Sequence, residues 1–260
     1  MVEARGAQPG VGPRDAVAAQ FSAGYGGALT GTNVAITQGC NQAFCAVMAT
    51  LAGQGDQVIV PTPWYFNHKM WLDMAGVATV PLPCGADMLP DPDHAAALIT
   101  PASRAIVLVT PNNPSGAQYP ADLVGRFYDL AQSRGLALIL DETYRDFDSR
   151  SGPPHDLLAR PGWDRTAIQL YSFSKAYRLT GHRVGAIVAG QTSVKAPERE
   201  AFETYLPRDV YIVSCHSLHG PHVDPRGQPL VLIQHRAPDE KMRLVERILA
   251  GGGFSEAKQM

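Results

Sequence analysis

Three stretches of this sequence hold side chains whose type and setting could do chemistry. The first is Tyr171-Ser-Phe-Ser-Lys175-Ala-Tyr-Arg-Leu-Thr-Gly-His-Arg183, where a lysine lies among hydroxyls just past an apolar run. A primary amine so placed can add to a carbonyl carbon as a Schiff-base nucleophile. Ser172, Ser174 and Arg183 carry the donors that a phosphate would need. The second is Asp141-Glu142-Thr143-Tyr144, which follows the apolar run Leu136–Leu140. A carboxylate at the end of a buried strand is costly unless it is paired with a metal, an arginine or a protonated ring nitrogen. No metal-ligand spacing surrounds Asp141. The third is Thr110-Pro-Asn-Asn-Pro-Ser-Gly116, a rigid loop in which the Asn113 amide could face a ligand hydroxyl or oxide.

Two further stretches could help to bind a ligand. Gly39-Cys40-Asn41 follows one short apolar run and opens an Ala- and Met-rich helical segment. Backbone N–H groups and the helix dipole at such a junction suit an anion. Residues 61–68, PTPWYFNH, put Tyr65 where its ring could stack on a flat heterocycle. Trp64 and Phe66 are expected to fill the core beneath that loop. Each feature alone has an ordinary explanation: turns hold turn residues, and most lysines are solvated.

The elements that must position these residues are legible from the pattern. Short apolar runs at Val34–Thr37, Gln57–Val60, Ala78–Leu82, Ala105–Val109, Ala137–Leu140, Ala167–Ser172 and Val184–Val188 read as strands buried on both faces. Helical patterns lie between them, at Asn41–Leu51 and at Ala121–Arg134, the latter closed by Gly135. Strands alternating with helices imply an α/β fold, three-layer α/β/α with a mostly parallel seven-stranded sheet, over residues 11–190. Ligands of such sheets bind at the carboxyl ends of the strands, and every residue singled out above falls at a strand end.

Residues 1–10 read as an N-terminal tail. Beyond Gly190 the pattern weakens: residues 191–230 are rich in Pro, Gly and His, followed by the apolar run Leu230–Ile233 and a helical pattern from Pro238 to Leu249. Cys215, His216, His219 and His222 cluster there without regular ligand spacing, so no metal site is expected. The 260 residues are 45% apolar and 18% charged, enough for a sizeable core. A net charge of −2 gives no reason to expect a nucleic-acid or membrane-surface partner. No apolar run is long enough to cross a bilayer, and the first residues lack the hydrophobic stretch of a secretory signal. The four cysteines show no CxxC spacing, and a cytoplasmic protein is the default expectation.

In their order, these motifs resemble those of the fold-type-I pyridoxal-phosphate enzymes of the class I/II aminotransferase family. NNPSG looks like that family's NPTG-type loop, DETY its D-x-x-Y, and SFSKAYRLTGHRVG its lysine motif. The resemblance implies pyridoxal 5′-phosphate as cofactor, held through a Schiff base to Lys175, and an amino-acid and 2-oxo-acid substrate pair. It implies Asp141 at the pyridine nitrogen, Tyr144 and Asn113 at the phenolic oxygen, and Tyr65 on the ring face. Gly39, Cys40, Asn41, Ser172, Ser174 and Arg183 would hold the phosphate. It also implies a homodimer. Against the family pattern the chain looks truncated or internally deleted, with residues 191–260 as a reduced α/β remnant of the small C-terminal domain. The arginine that grips the substrate carboxylate is not found there: Leu232 and Ile233 stand at the expected strand positions, with Arg236 nearby. The readings left open are an active aminotransferase, a cofactor-binding remnant without turnover, and a lyase on the same scaffold.

Overall fold

A computed structural model describes residues 12–190 and the three strands Ile212–Ser217, Pro229–Arg236 and Glu256–Gln259. The chain divides into two compact units, Met1–Lys195 and Ala196–Met260.

The first unit holds strands β1 (Val34–Thr37), β2 (Gln57–Thr62), β3 (Ala78–Pro83), β4 (Ser103–Val109), β5 (Ala137–Asp141), β6 (Ala167–Ser172) and β7 (Gly185–Val188). They form one sheet in the order β1-β7-β6-β5-β4-β2-β3. Only the β7 pairings, with β1 and with β6, are antiparallel; β6, β5, β4, β2 and β3 run parallel. All seven expected strands are present. Because β7 runs backwards, its beginning lies at the edge where the other strands end, which brings Arg183 to that edge.

Side chains alternate across the sheet with the period of two that a strand imposes. Val58, Val60, Ala105, Val107, Ile139, Ile168, Leu170 and Ile187 face one layer, with α2 (Cys40–Leu51) and α3 (Phe66–Met74) packed on them. Ile59, Ile106, Leu108, Leu138 and Leu140 face the other, against α4 (Pro92–Leu98) and α5 (Ala121–Arg134). Tyr171, Ala186 and Val188 continue that second face against α1 (Pro13–Tyr25). A final short helix, α6 (Phe173–Ala176), follows β6. The helix ends obey their sequence signals. Pro13 sits in the first turn of α1 and Gly135, at φ 66°, closes α5 in the left-handed conformation.

One sequence expectation is corrected. Trp64 packs partly into the core, but Phe66 is 61% exposed. Tyr65 caps α3, whose inward residues are His68 and Leu72. Phe66 lies two residues before His68, roughly 200° around the helix, and therefore points outward.

The second unit contains β8 (Ile212–Ser217), β9 (Pro229–Arg236) and β10 (Glu256–Gln259) in a separate sheet of order β10-β9-β8. β9 runs antiparallel to β8 and parallel to β10. Cys215 and His216 fall in β8 and Leu232, Ile233 and Arg236 in β9, while His219, His222 and the expected helix 238–249 lie outside the described residues. Among the described residues no helix is long and apolar enough to cross a membrane, and no cluster could hold a metal ion.

Backbone passes close to backbone where β7 begins. A Cβ added at Gly185 would stand 2.6 Å from the carbonyl carbon of Gly39 and 2.8 Å from the nitrogen of Cys40. Neither backbone atom can swing aside as a side chain would. Gly185→Ala is therefore expected to lower stability by about 2 kcal/mol, read as a lower urea midpoint at unchanged slope.

Candidate active site

The parity of β5 places its last residues. Asp141 shares the face of Ile139, toward α2 and α3, and is only 3% exposed. Its Oδ2 lies 3.1 Å from Nε2 of His68 on α3. Its Oδ1 accepts the Thr143 backbone N–H at 3.0 Å and the Thr143 hydroxyl at 2.7 Å. Burial alone would push this carboxyl up, but His68 and Thr143 outweigh it and hold the group below the usual carboxylate range. The His68 ring is stacked on Phe44 at 3.9 Å between centroids and meets Tyr65 edge-on at 5.1 Å. Burial, with the Asp141 charge second, raises the Cys40 thiol and the half-buried Tyr65 phenol. Cys40 and Tyr65 are thus electrostatic neighbours of Asp141.

Glu142 takes the opposite face, where the Tyr25 hydroxyl and the Gln169 amide both donate to its Oε2 and His155 Nε2 stands 3.5 Å from Oε1. Beside it the Arg145 guanidinium lies 3.9 Å from the Phe21 ring centroid and 4.7 Å from that of Tyr171. These contacts tie the loop that carries Tyr144 to α1 and β6.

At the junction of β1, β6 and β7 the chain makes a corner suited to an anion. Gly39, at φ 81°, precedes α2, and a Cβ there would lie 2.4 Å from Nη2 of Arg183. The second guanidinium nitrogen, Nη1, donates to the Thr180 carbonyl at 3.2 Å. Ser172 caps α6 by accepting the Ser174 N–H at 3.2 Å, which leaves its own hydroxyl hydrogen free to donate. The hydroxyl of Ser174 is buried without a partner, an arrangement that a ligand oxygen would satisfy. Asn41 is exposed at the start of α2.

An open cavity of about 640 Å³ completes the edge. Its walls include Asn113, Tyr144, Ser174 and Lys175, four of the residues expected from sequence. The Lys175 ammonium lies 5.9 Å from the Tyr144 ring centroid. Asn112, buried, builds the loop instead: its Oδ1 accepts from the backbone and hydroxyl of Ser115 at 3.1 and 2.7 Å. Gly39, Cys40, Asn41, Tyr65, Asp141, Ser172 and Arg183 are not among the residues lining the cavity and occupy the same sheet edge around it. Sequence reasoning missed His68, Thr143 and two wall residues, Arg178 and Thr180. His68 could have been found from its three-residue offset from Tyr65, which stacks the two positions on one helix face.

The residues fit pyridoxal phosphate. A partnerless buried hydroxyl, a glycine that the Arg183 guanidinium leaves no room to enlarge, a buried ionised carboxylate and an amine at a cavity wall are what that group requires.

Removing His68 leaves the buried Asp141 carboxylate short of its strongest donor. His68→Ala is expected to cost about 3 kcal/mol. Because Asp141 is depressed in the folded chain, its contribution is complete above the ordinary value of roughly 3.9. That contribution is lost as pH falls through the lower folded value, and in His68→Ala the loss should begin at higher pH. Urea midpoints measured from pH 3 to 7 check both.

The class I and II aminotransferase profile matches residues 14–206. An aromatic aminotransferase of Arabidopsis thaliana is 34% identical over 164 residues, 61% of this chain and 40% of the relative. A Thermus thermophilus aspartate aminotransferase structure superposes with a TM-score of 0.65 at 27% identity, covering 74% of this chain and 50% of that one. A probable NADP(+) prephenate dehydrogenase of Schizosaccharomyces pombe is 65% identical over only 68 residues, 26% of this chain and 16% of the relative. The chain thus spans half or less of the length of each of these proteins. With the aminotransferase profile covering most of its length, the chain belongs to the class I and II aminotransferase family.

Proposed function

We propose that residues 12–190 bind pyridoxal 5′-phosphate through Lys175 and serve amino-group transfer between an α-amino acid and a 2-oxo acid. The observation that carries this reading is the meeting of Lys175, Tyr144, Asn113 and Ser174 in one cavity, at the edge where β5 ends in Asp141. When bound, the cofactor supplies an electron sink for the pair left at the substrate Cα.

Each side chain then has a task that its environment suits. The Asp141 carboxylate, kept ionised by His68 and Thr143, holds a proton at the pyridine nitrogen. The Tyr144 hydroxyl and the Asn113 amide donate to the phenolic oxygen, and Tyr65 covers the ring. The backbone at Gly39, Cys40 and Asn41, the hydroxyls of Ser172 and Ser174 and the Arg183 guanidinium hold the phosphate at the start of α2. Lys175 would hold the cofactor through its amine, and the same amine would move the proton at the substrate Cα. The family's dimeric assembly is part of this proposal.

A second reading, cofactor binding without turnover, is favoured by the dehydrogenase similarity. Residues 207–260 lie beyond the aminotransferase match, and the second compact unit, Ala196–Met260, is nearly as long as the 68-residue similarity. We infer that the dehydrogenase-like stretch is this C-terminal unit. On that reading a piece of another enzyme type stands where the substrate-gripping domain of an aminotransferase is expected.

Added pyridoxal phosphate is expected to give a visible absorption band that borohydride bleaches, with the reduced adduct found on Lys175 by mass spectrometry. Lys175→Ala should lose both, and a variant that retains the band and the adduct would show the lysine to be wrongly assigned. The same holoprotein, given 2-oxoglutarate and a panel of amino acids that includes the aromatic ones, separates the two readings. Glutamate formation supports transfer, and a stable band with no glutamate supports binding without turnover.

A further inference from the structure

The cavity beside Lys175 carries a second cation that none of the tasks above uses. Arg178 lines it together with Lys175, and its backbone N–H donates to the Lys175 carbonyl at 3.2 Å, so both residues stand on one turn. The other walls come from prolines, from Gly116 and Phe147, and from the amides and hydroxyls of Asn112, Asn113, Gln118, Tyr144, Ser174 and Thr180; no lining residue is acidic. The two other loop arginines nearby are already engaged, Arg183 with the Thr180 carbonyl and Arg145 with the ring of Phe21. The Arg178 guanidinium, among the described residues, has no hydrogen bond or ion pair. Its backbone sits at φ 56°, a conformation that a non-glycine residue adopts at some cost.

An unpaired guanidinium at the wall of a cavity without acidic residues is matched by a planar anion with two oxygens, because its parallel N–H groups suit a carboxylate. We propose that Arg178 is the residue of this chain that binds the carboxylate of the amino-acid or 2-oxo-acid substrate. The inference rests on the functional reading above and deepens it. Arg178 and Lys175 are three residues apart on one turn, so a single α-amino acid can present its amine to one and its carboxylate to the other. The cofactor-binding unit then holds a carboxylate grip of its own, within residues 12–190.

The test is a calorimetric titration of the full chain with 2-oxoglutarate, with and without pyridoxal phosphate, in the wild type and in Arg178→Gln, Arg178→Lys and Arg178→Gly. Arg178→Gln is expected to weaken binding roughly 10- to 100-fold, the range of a hydrogen bond to a charged group, and Arg178→Lys to recover part of the loss. Arg178→Gly removes the guanidinium while relieving the positive φ, so it should fold at least as stably and bind as weakly as Arg178→Gln. In the holoprotein, phenylalanine should lose affinity by a similar factor, whereas phenethylamine, which lacks the carboxylate, should not. A wild type that fails to bind 2-oxoglutarate, or an Arg178→Gln or Arg178→Gly variant that binds it unchanged, overturns the inference. Failure of the cofactor reading registers separately, as absence of the visible band, while the titration of the cofactor-free chain still decides the role of Arg178.

Discussion

The site depends on a single expensive feature, an ionised carboxylate at the buried end of a central strand. Moving an isolated charge from water into a protein interior is prohibitive, and Asp141 is tolerable because His68 and Thr143 donate to both of its oxygens. That requirement propagates outward. His68 must be buried, so α3 has to pack with its His68–Leu72 stripe inward, and Phe44 of α2 must lie flat on the imidazole. Cys40 opens α2 within reach of the same charge, so the helix that begins the anion corner is registered against the carboxylate. The acid at one end of the candidate site and the N–H groups at the other are therefore set by one packing arrangement.

The alternation of β5 gives this strand end two separate duties. Asp141 turns to the α2–α3 layer, and Glu142, one residue on, turns to the α1 layer, where hydroxyl, amide and imidazole groups surround it. A charged residue on each face anchors the loop that follows from both sides of the sheet. Tyr144 is two residues further along that loop, close to the Lys175 ammonium. The loop needs no regular structure of its own to be placed, because its root is fixed in two directions.

How much of this was legible in the sequence follows from which signals are local. Strands buried on both faces appear as short apolar runs whatever they pack against, and all seven fell where the runs are. Asp141 drew attention because a carboxylate ending such a run is costly unless paired, and Lys175 only through the order of the motifs around it. His68 carried only the weaker signal of its three-residue offset from Tyr65, since a lone histidine in PTPWYFNH has no anomaly until α3 is folded and the ring is found against a carboxylate. Phe66 misled for the same reason: Met70 and Met74 are also exposed on α3, so the apolar residues of that segment do not mark its inward face. Arg178 was passed over inside a motif whose other residues had roles, and only the charge balance of the cavity wall sets it apart.

The division of the chain into two units sharpens what the first must accomplish. The strand ends, the anion corner, the buried carboxylate and the cavity all lie within residues 12–190, on one sheet edge. A parallel sheet makes this convergence possible, because it delivers the ends of distant segments to one line. Recognition of a substrate carboxylate imposes a different demand: it needs a cation free of internal partners, and a folded unit normally pairs its buried charges. Arg145 is packed on the rings of Phe21 and Tyr171, and Arg183 lies at the anion corner beside Gly39. Arg178, exposed at the cavity wall on a turn with positive φ, has no such partner among the described residues and stands beside the only lysine of the wall, where the proposed carboxylate grip would act.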